Sequence, residues 1–372
     1  KEIYMKVPQF MPWIGNDEYA AIKACFDDNW ITEGPRAKEF NQKLCDLIGV
    51  KYGVFAPNGT LAIYLALRSL NIGPGDEVIV PDFTFLASAS AVEMVGATPV
   101  FCDINKNDLQ IDVSDCTRLL TKKTKAIMPV HIYGLSANMG EVMFFAKKHN
   151  LLVIEDAAQA LGIKWNGKGC GSFGDVATFS FFADKTITTG EGGFVCTNNK
   201  DTYENLLYLR NQGRIDRGSF IHPKMGYNFR MTDIQAAIGL SQLKKFDFIV
   251  ERKNEIYQLY KKLLSGVENI EILTPSNKIF PYIPFRVAIL TKDKSENLMK
   301  FMSESGIEAR TFFYPLHKQP CMKQFSQNYK PLKNSIHVYE HGVCLPSYVS
   351  LEAEQVEYVC SVIKKYYEKN QS

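Results

Sequence analysis

Leu151-Leu152-Val153-Ile154-Glu155-Asp156-Ala157-Ala158-Gln159-Ala160 runs four aliphatic side chains into two carboxylates. Four consecutive apolar residues need cover on both faces, the mark of a strand inside a parallel sheet. Open α/β sheets bind their ligands beyond the carboxyl ends of such strands. The two acids therefore stand where a site belongs. A carboxylate there can keep a pyridine nitrogen protonated, and pyridoxal phosphate needs such a partner together with a Schiff-base lysine.

The lysine comes next along the chain. An apolar run, Val176 to Phe182, leads into Ala183-Asp184-Lys185-Thr186-Ile187-Thr188-Thr189-Gly190-Glu191-Gly192-Gly193, and a second strand-like run, Phe194 to Thr197, follows. Aromatic neighbours can desolvate the Lys185 amine, which disfavours its charged form and makes it a nucleophile. A solvated loop lysine is the plainer alternative from this segment alone.

Outward from these two segments, strands alternate with helices. Strand-like runs fall at 52–56, 75–81, 98–101 and 126–130, with helical stretches at 37–47, 61–70 and 138–149 between them. That alternation predicts parallel pairing with right-handed crossovers. In the turn Asn58-Gly59-Thr60, a glycine and a hydroxyl open a helix, where backbone N–H groups can hold an anion. Such turns are usually only caps. Phe85 follows a strand end and can stack on a flat ring or simply join the core.

These segments together resemble the DegT/DnrJ/EryC1/StrS sugar-nucleotide aminotransferases, over nearly the whole chain from Trp30-Ile-Thr-Glu-Gly-Pro35 to Leu345-Pro-Ser347. The resemblance implies an aspartate-aminotransferase (type I) α/β fold, with a large cofactor-binding domain at 1–246 and a smaller α+β domain at 247–372. An extended opening segment of about fifteen residues is expected against the smaller domain. It also implies pyridoxal 5'-phosphate, cycling through the pyridoxamine form, as cofactor. Lys185 would be the Schiff-base and proton-transfer lysine, and Asp156 the partner of the ring nitrogen. Gln159 would approach the ring hydroxyl, Phe85 would stack, and Ser180 with Gly59 and Thr60 would bind the phosphate. Asn228 would complete that phosphate site from a second subunit, making a homodimer a requirement. Asp184 stands where many relatives have asparagine. An acid facing the amine would favour the ammonium form, so Asp184 is expected to point away.

The resemblance further implies L-glutamate as donor and C4 of a nucleotide-linked 4-keto-6-deoxyhexose as acceptor. Ser180-Phe-Phe, Lys185-Thr-Ile-Thr and Arg310-Thr-Phe-Phe-Tyr314-Pro-Leu-His317 look most like the branch that forms GDP-perosamine, with dTDP-linked 4-amino sugars as the alternative. Arg310 can pair with a diphosphate, and Tyr314 and His317 stand beside it as substrate-binding candidates. An ordinary domain-closing loop is the competing reading of that stretch. A lysine rather than a histidine at 185 disfavours the dehydratases of the family. A non-catalytic cofactor-binding regulator would need a basic helix-turn-helix segment, which is not seen. A plain interaction protein has no reason to keep Lys185, Asp156 and Gln159 together.

Composition narrows the classes further. A 46% hydrophobic and 22% charged chain with net charge +3 offers neither a nucleic-acid face nor a polybasic membrane patch. Nine cysteines without a C-x-x-C pair fit a reducing cytosol and indicate no zinc ribbon. The opening lacks a signal-peptide core, and Met5 is a candidate natural start.

Three motifs are decoys. Gly162 to Lys168 resembles a P-loop, but Gly169 stands where a hydroxyl should ligate magnesium. Gly169-Cys-Gly171-Ser-Phe-Gly174 spells a dinucleotide fingerprint, yet a strand rather than a helix follows it. Asn166-Gly167 reads instead as a hairpin turn. His337-Val-Tyr-Glu340-His341 matches an inverted zinc-protease pattern, but two histidines on one helix face explain it.

Overall fold

The computed structural model describes residues 5–214, 220–326 and 331–369. The reading of residues 1–4 as preceding a natural start lies outside them. A seven-stranded sheet runs in the order 52–56, 193–197, 176–180, 152–156, 124–127, 77–81 and 98–102. All neighbours pair in parallel except strand Gly193–Thr197, which is antiparallel to both its neighbours. The expected α/β architecture with a mostly parallel central sheet is therefore present.

The one reversal has a local cause. Ser180 pairs with Gly193, and Phe181 N–H donates to the Gly192 carbonyl at 2.9 Å. The lysine loop is thus the connection of a hairpin, not a crossover. Its hydroxyls close it from inside. Thr188 Oγ1 donates to the Phe181 carbonyl at 3.0 Å and accepts from Gly190 N–H at 2.9 Å, while Thr189 Oγ1 donates to the Glu191 carbonyl at 2.7 Å. A loop that satisfies its own polar groups can be buried. Gly193 has to be glycine, because a Cβ there would stand 2.3 Å from the Asn58 carbonyl.

A second sheet, in the order 270–272, 287–291, 342–345 and 310–311, is antiparallel throughout. Gly342–Leu345 and Arg310–Thr311 were not legible as strands, being four and two residues long. The opening segment lies against this part of the chain. Val7 bridges to Ile307, and Gln9 Nε2 donates to the Cys344 carbonyl at 3.1 Å. Helix Phe246–Leu263 leads into it, turning Ile249, Lys253, Ile256, Tyr257 and Tyr260 to its buried face. No helix among the described residues is long and apolar enough to cross a membrane.

The hairpin and the helix face carrying two histidines are both present. Lys164–Trp165 and Lys168–Gly169 form a two-stranded hairpin around Asn166 and Gly167, both at positive φ as a type I′ turn requires. His337 and His341 lie side by side on helix Lys333–His341, and the described residues hold no cluster fit for a metal ion.

Candidate active site

Strand Leu152–Asp156 delivers two carboxylates, and their surroundings give them different jobs. Glu155 is fully buried and accepts from Gly171, Phe173 and Gly174 N–H at 2.7 to 2.8 Å, and from His131 Nε2 at 3.0 Å. His131 Nδ1 accepts from Ala137 N–H at 3.1 Å, which leaves the ring proton on Nε2 to donate. The glycine-rich loop that imitates a dinucleotide motif is thus an anion nest for a carboxylate of the same chain. Glu155→Ala should lower stability by about 3–5 kcal/mol, because it leaves these buried donors without an acceptor. A urea midpoint matching the wild type would refute that role.

Asp156, next in sequence, emerges on the other face of the strand into a cavity of about 680 Å³. Its Oδ2 accepts from Ser88 Oγ at 2.8 Å and its Oδ1 from Ala158 N–H at 3.2 Å. Ser88 in turn lies 3.1 Å from Thr84 Oγ1. The carboxylate is therefore fixed in place and is 5% exposed.

Lys185 lines the same cavity. Its amine rests 4.6 Å from the centroid of the Phe285 ring. Burial pushes the amine below the usual lysine range; Asp184 opposes that, Arg286 adds to it, and Asp156 opposes it. An amine held this way is available as a base and nucleophile. The expected orientation of Asp184 is corrected. Its Oδ1 stands 3.8 Å from Lys185 Nζ, because the buried Arg286 draws its Oδ2 into a 2.5 Å bond and swings the carboxylate toward the amine.

Gly59, Thr60, Phe85, Gln159, Ser180 and Arg310 line this cavity with Lys185 and Asp156. Helix Gly59–Ser69 starts at its wall, and the Asn58 side chain caps it by accepting from Leu61 N–H at 3.0 Å. A Cβ on Gly59 would meet Ser180 Cβ at 3.0 Å and Oγ at 3.2 Å, so helix start and strand end form one narrow cradle. Gln159 Oε1 accepts from Tyr133 N–H at 2.7 Å, which leaves its amide donors to act elsewhere. Phe85 is 61% exposed, unusual for a residue among core aromatics.

Tyr314 and His317 are not brought to the cavity, and Asn228, expected in a second subunit's site, does not line it either. Asn228 is exposed, with its Oδ1 accepting from Arg230 Nε at 2.9 Å. Tyr314 packs edge-on against Tyr339. His317 binds the buried Asp82 through Nδ1 and its backbone N–H, both at 2.7 Å. Conversely, Tyr133, Arg286 and Phe313 line the cavity and were not singled out. Arg286 had a signal in the sequence, a cation set inside the apolar run 285–290.

A largely buried amine, a fixed carboxylate and a glycine–hydroxyl cradle in one cavity are what an aldehyde-bearing, phosphorylated pyridine requires. The pattern of the DegT/DnrJ/EryC1/StrS aminotransferase family matches residues 12–364. The chain belongs to that family. Proteins described as GDP-perosamine synthase from Escherichia coli O157:H7 and Vibrio cholerae are 41% and 38% identical, each alignment covering 97% of this chain and 98% and 99% of theirs. A provisionally described sugar aminotransferase of Streptococcus pneumoniae, solved in its pyridoxal-phosphate form, superposes with a TM-score of 0.92 at 28% identity, covering 98% of this chain and 99% of that one. The family is that of pyridoxal-phosphate-dependent sugar aminotransferases, and this chain is one of them. The donor set fits the cofactor: an amine for the aldehyde, an anion for the ring nitrogen, and a cradle closed to a side chain at Gly59.

Proposed function

We propose that the chain transfers the amino group of L-glutamate to C4 of GDP-4-keto-6-deoxymannose, yielding GDP-perosamine, as a cytoplasmic homodimer. The observation that carries the chemistry is the convergence of the Lys185 amine and the Asp156 carboxylate on one cavity. The sugar rests on the similarity to the GDP-perosamine synthases.

Bound pyridoxal phosphate supplies the aldehyde and the electron sink. Lys185 would anchor it, accept at Nζ the proton that leaves the donor carbon, and in the second half of the reaction deliver a proton to the sugar carbon. Asp156, oriented by Ser88 and Ala158, holds a proton on the ring nitrogen. Gly59 and Thr60 N–H groups and the Ser180 hydroxyl bind the phosphate at a helix N-terminus. Phe85 would stack on the ring, and a Gln159 amide donor would serve the ring hydroxyl. Arg310 faces the diphosphate of the sugar nucleotide, with Tyr314 and His317 outside the cavity in the same stretch.

Asn228 acts in the partner's site in this reading, in keeping with its place on the surface. Trp30, Ile31, Phe220 and Met225 are exposed apolar side chains, and a second copy would cover them. The division at 246/247 belongs to the same proposal, supported by the separate antiparallel sheet that follows it.

The test is to load the purified protein with pyridoxal phosphate and L-glutamate and offer GDP-, dTDP- and UDP-linked 4-keto sugars separately. Mass spectrometry of the products should find the aminated sugar with the GDP substrate. Preferred turnover of the dTDP or UDP sugar would replace the acceptor named here while leaving the transamination intact.

A further inference from the structure

Behind the Lys185 amine lies a charge cluster that the proposed chemistry does not use. Arg286 Nη2 donates to Asp184 Oδ2 at 2.5 Å. The guanidinium stands 4.5 Å from the Phe285 ring centroid, the same ring that carries the Lys185 amine. Lys253 Nζ, reaching in from helix Phe246–Leu263, donates to the Pro284 carbonyl at 3.3 Å. Lys253, Asp184, Lys185 and Arg286 line one small pocket beneath Phe10 and Trp13. Within it Asp184 Oδ1 is buried, without a hydrogen-bond partner among the described residues, 3.8 Å from Lys185 Nζ.

A buried carboxylate oxygen left without a donor is costly, and such an atom calls for an explanation. The nearby Lys185 amine supplies one, since a modest rotation of its chain would close 3.8 Å to hydrogen-bond length. We propose that Asp184, held by Arg286, is a positioning residue that receives the Lys185 ammonium whenever that amine carries the transferred proton. The proposal rests on Lys185 being the reactive amine.

In the transfer a C–H bond breaks and an N–H bond forms on Lys185. The carbon keeps the electron pair, and Nζ gains one positive charge until it gives the proton back. Where burial already disfavours the charged amine, that charge needs an anion. Asp184 Oδ1 is placed to be it, and Arg286 limits how strongly it pulls, because the guanidinium already shares the carboxylate. An unshared carboxylate would hold the ammonium too firmly for the proton to leave again. Lys253 is the third cation in reach. Burial and Arg286 push its amine down to about 7, against the pull of Asp184, and its Nζ is bonded to the Pro284 carbonyl rather than to the carboxylate. The groups facing the Lys185 amine are thus Asp184, Arg286 and Asp156, and those facing Asp184 are Lys185, Arg286 and Lys253.

The test is a pH titration of the bound cofactor's absorbance in the holoenzyme. Asp184→Asn keeps the shape and removes the anion, so the transition that reports the Lys185 proton should move to lower pH. Arg286→Gln frees the carboxylate and should move it to higher pH. A merely structural pair would not shift in opposite directions. In steady state Asp184→Asn should lower kcat about tenfold, a part of what the acid–base group itself contributes, with the KM for glutamate unchanged. If the wild type shows the absorbance band and Lys185→Ala lacks it, the parent reading stands. An unmoved titration in Asp184→Asn then overturns this proposal alone. Should that variant fail to retain cofactor, the pH dependence of Lys185 acetylation in the full-length, cofactor-free chain is read instead. An unmoved profile there overturns it equally.

Discussion

Lys185→Ala will still bind pyridoxal phosphate but will not become covalently linked to it, and glutamate-dependent amino transfer will fall by on the order of 10⁴-fold. Lys185 is the single lysine among the described residues that line the cavity, so no second amine stands ready to replace it. Lys253 belongs to the pocket behind and is bonded to the Pro284 carbonyl. The fold should hardly notice the change. Burial disfavours the charged amine in the native state, so its removal deletes an unfavourable contribution along with any favourable one. Asp184 keeps its bond to Arg286, and the unfolding free energy should stay within about 1 kcal/mol of the wild type. Borohydride reduction followed by mass spectrometry separates the two proteins: the wild type gains the cofactor's mass, the variant does not. Near-normal turnover by the variant would remove Lys185 from the reaction.

Much of this site was legible because its elements are local. The run Leu151–Ile154 had to be a buried strand, and the acids at its end had to be near the ligand edge of the sheet. The Asn58-Gly59-Thr60 turn opens helix Gly59–Ser69 through a local cap. What was not legible depends on partners distant in the chain. Glu155 and Asp156 are chemically alike in sequence. Only the folding of Gly171 to Gly174 onto Glu155 makes one a structural anchor and leaves the other for the site. Asp184 was expected to turn from Lys185 because Arg286, 102 positions away, is invisible from the loop. Its burial decides the matter, since a guanidinium with 5% exposure must be paired.

The smaller sheet shows the same limit from another side. Strand Val287–Thr291 has an apolar run and was readable, whereas Arg310–Thr311 is a strand only because Gly342–Leu345 lies beside it. That pairing sets the Arg310 side of the strand against the cavity, while the chain turns away at Pro315 and commits His317 to Asp82. A stretch that looks like one binding motif is split between two surroundings. The buried lysine of helix Phe246–Leu263 had a readable signal. Lys253 falls four residues after Ile249 on the apolar face, where a charge is out of place unless something pairs with it.

Asp156→Asn should leave the cofactor bound and the protein folded while slowing amino transfer by on the order of 10²- to 10⁴-fold. The change is nearly isosteric, and its neighbours can adapt. The amide oxygen can keep accepting from Ala158 N–H. The Ser88 hydroxyl, which now donates to Oδ2, can rotate to donate toward Thr84 Oγ1 and accept from the new amide. No buried donor is stranded, in contrast to Glu155, so stability should move by less than about 1 kcal/mol. What is lost is the anion. A carboxylate holds a proton on the ring nitrogen opposite it, whereas a neutral amide offers no charge to keep it there. The loss should appear in proton removal from the donor carbon, read as a larger isotope effect with α-deuterated glutamate. Unchanged rates would show that another group supplies the charge, and a collapse of stability would show that Asp156, like its neighbour, serves the fold first.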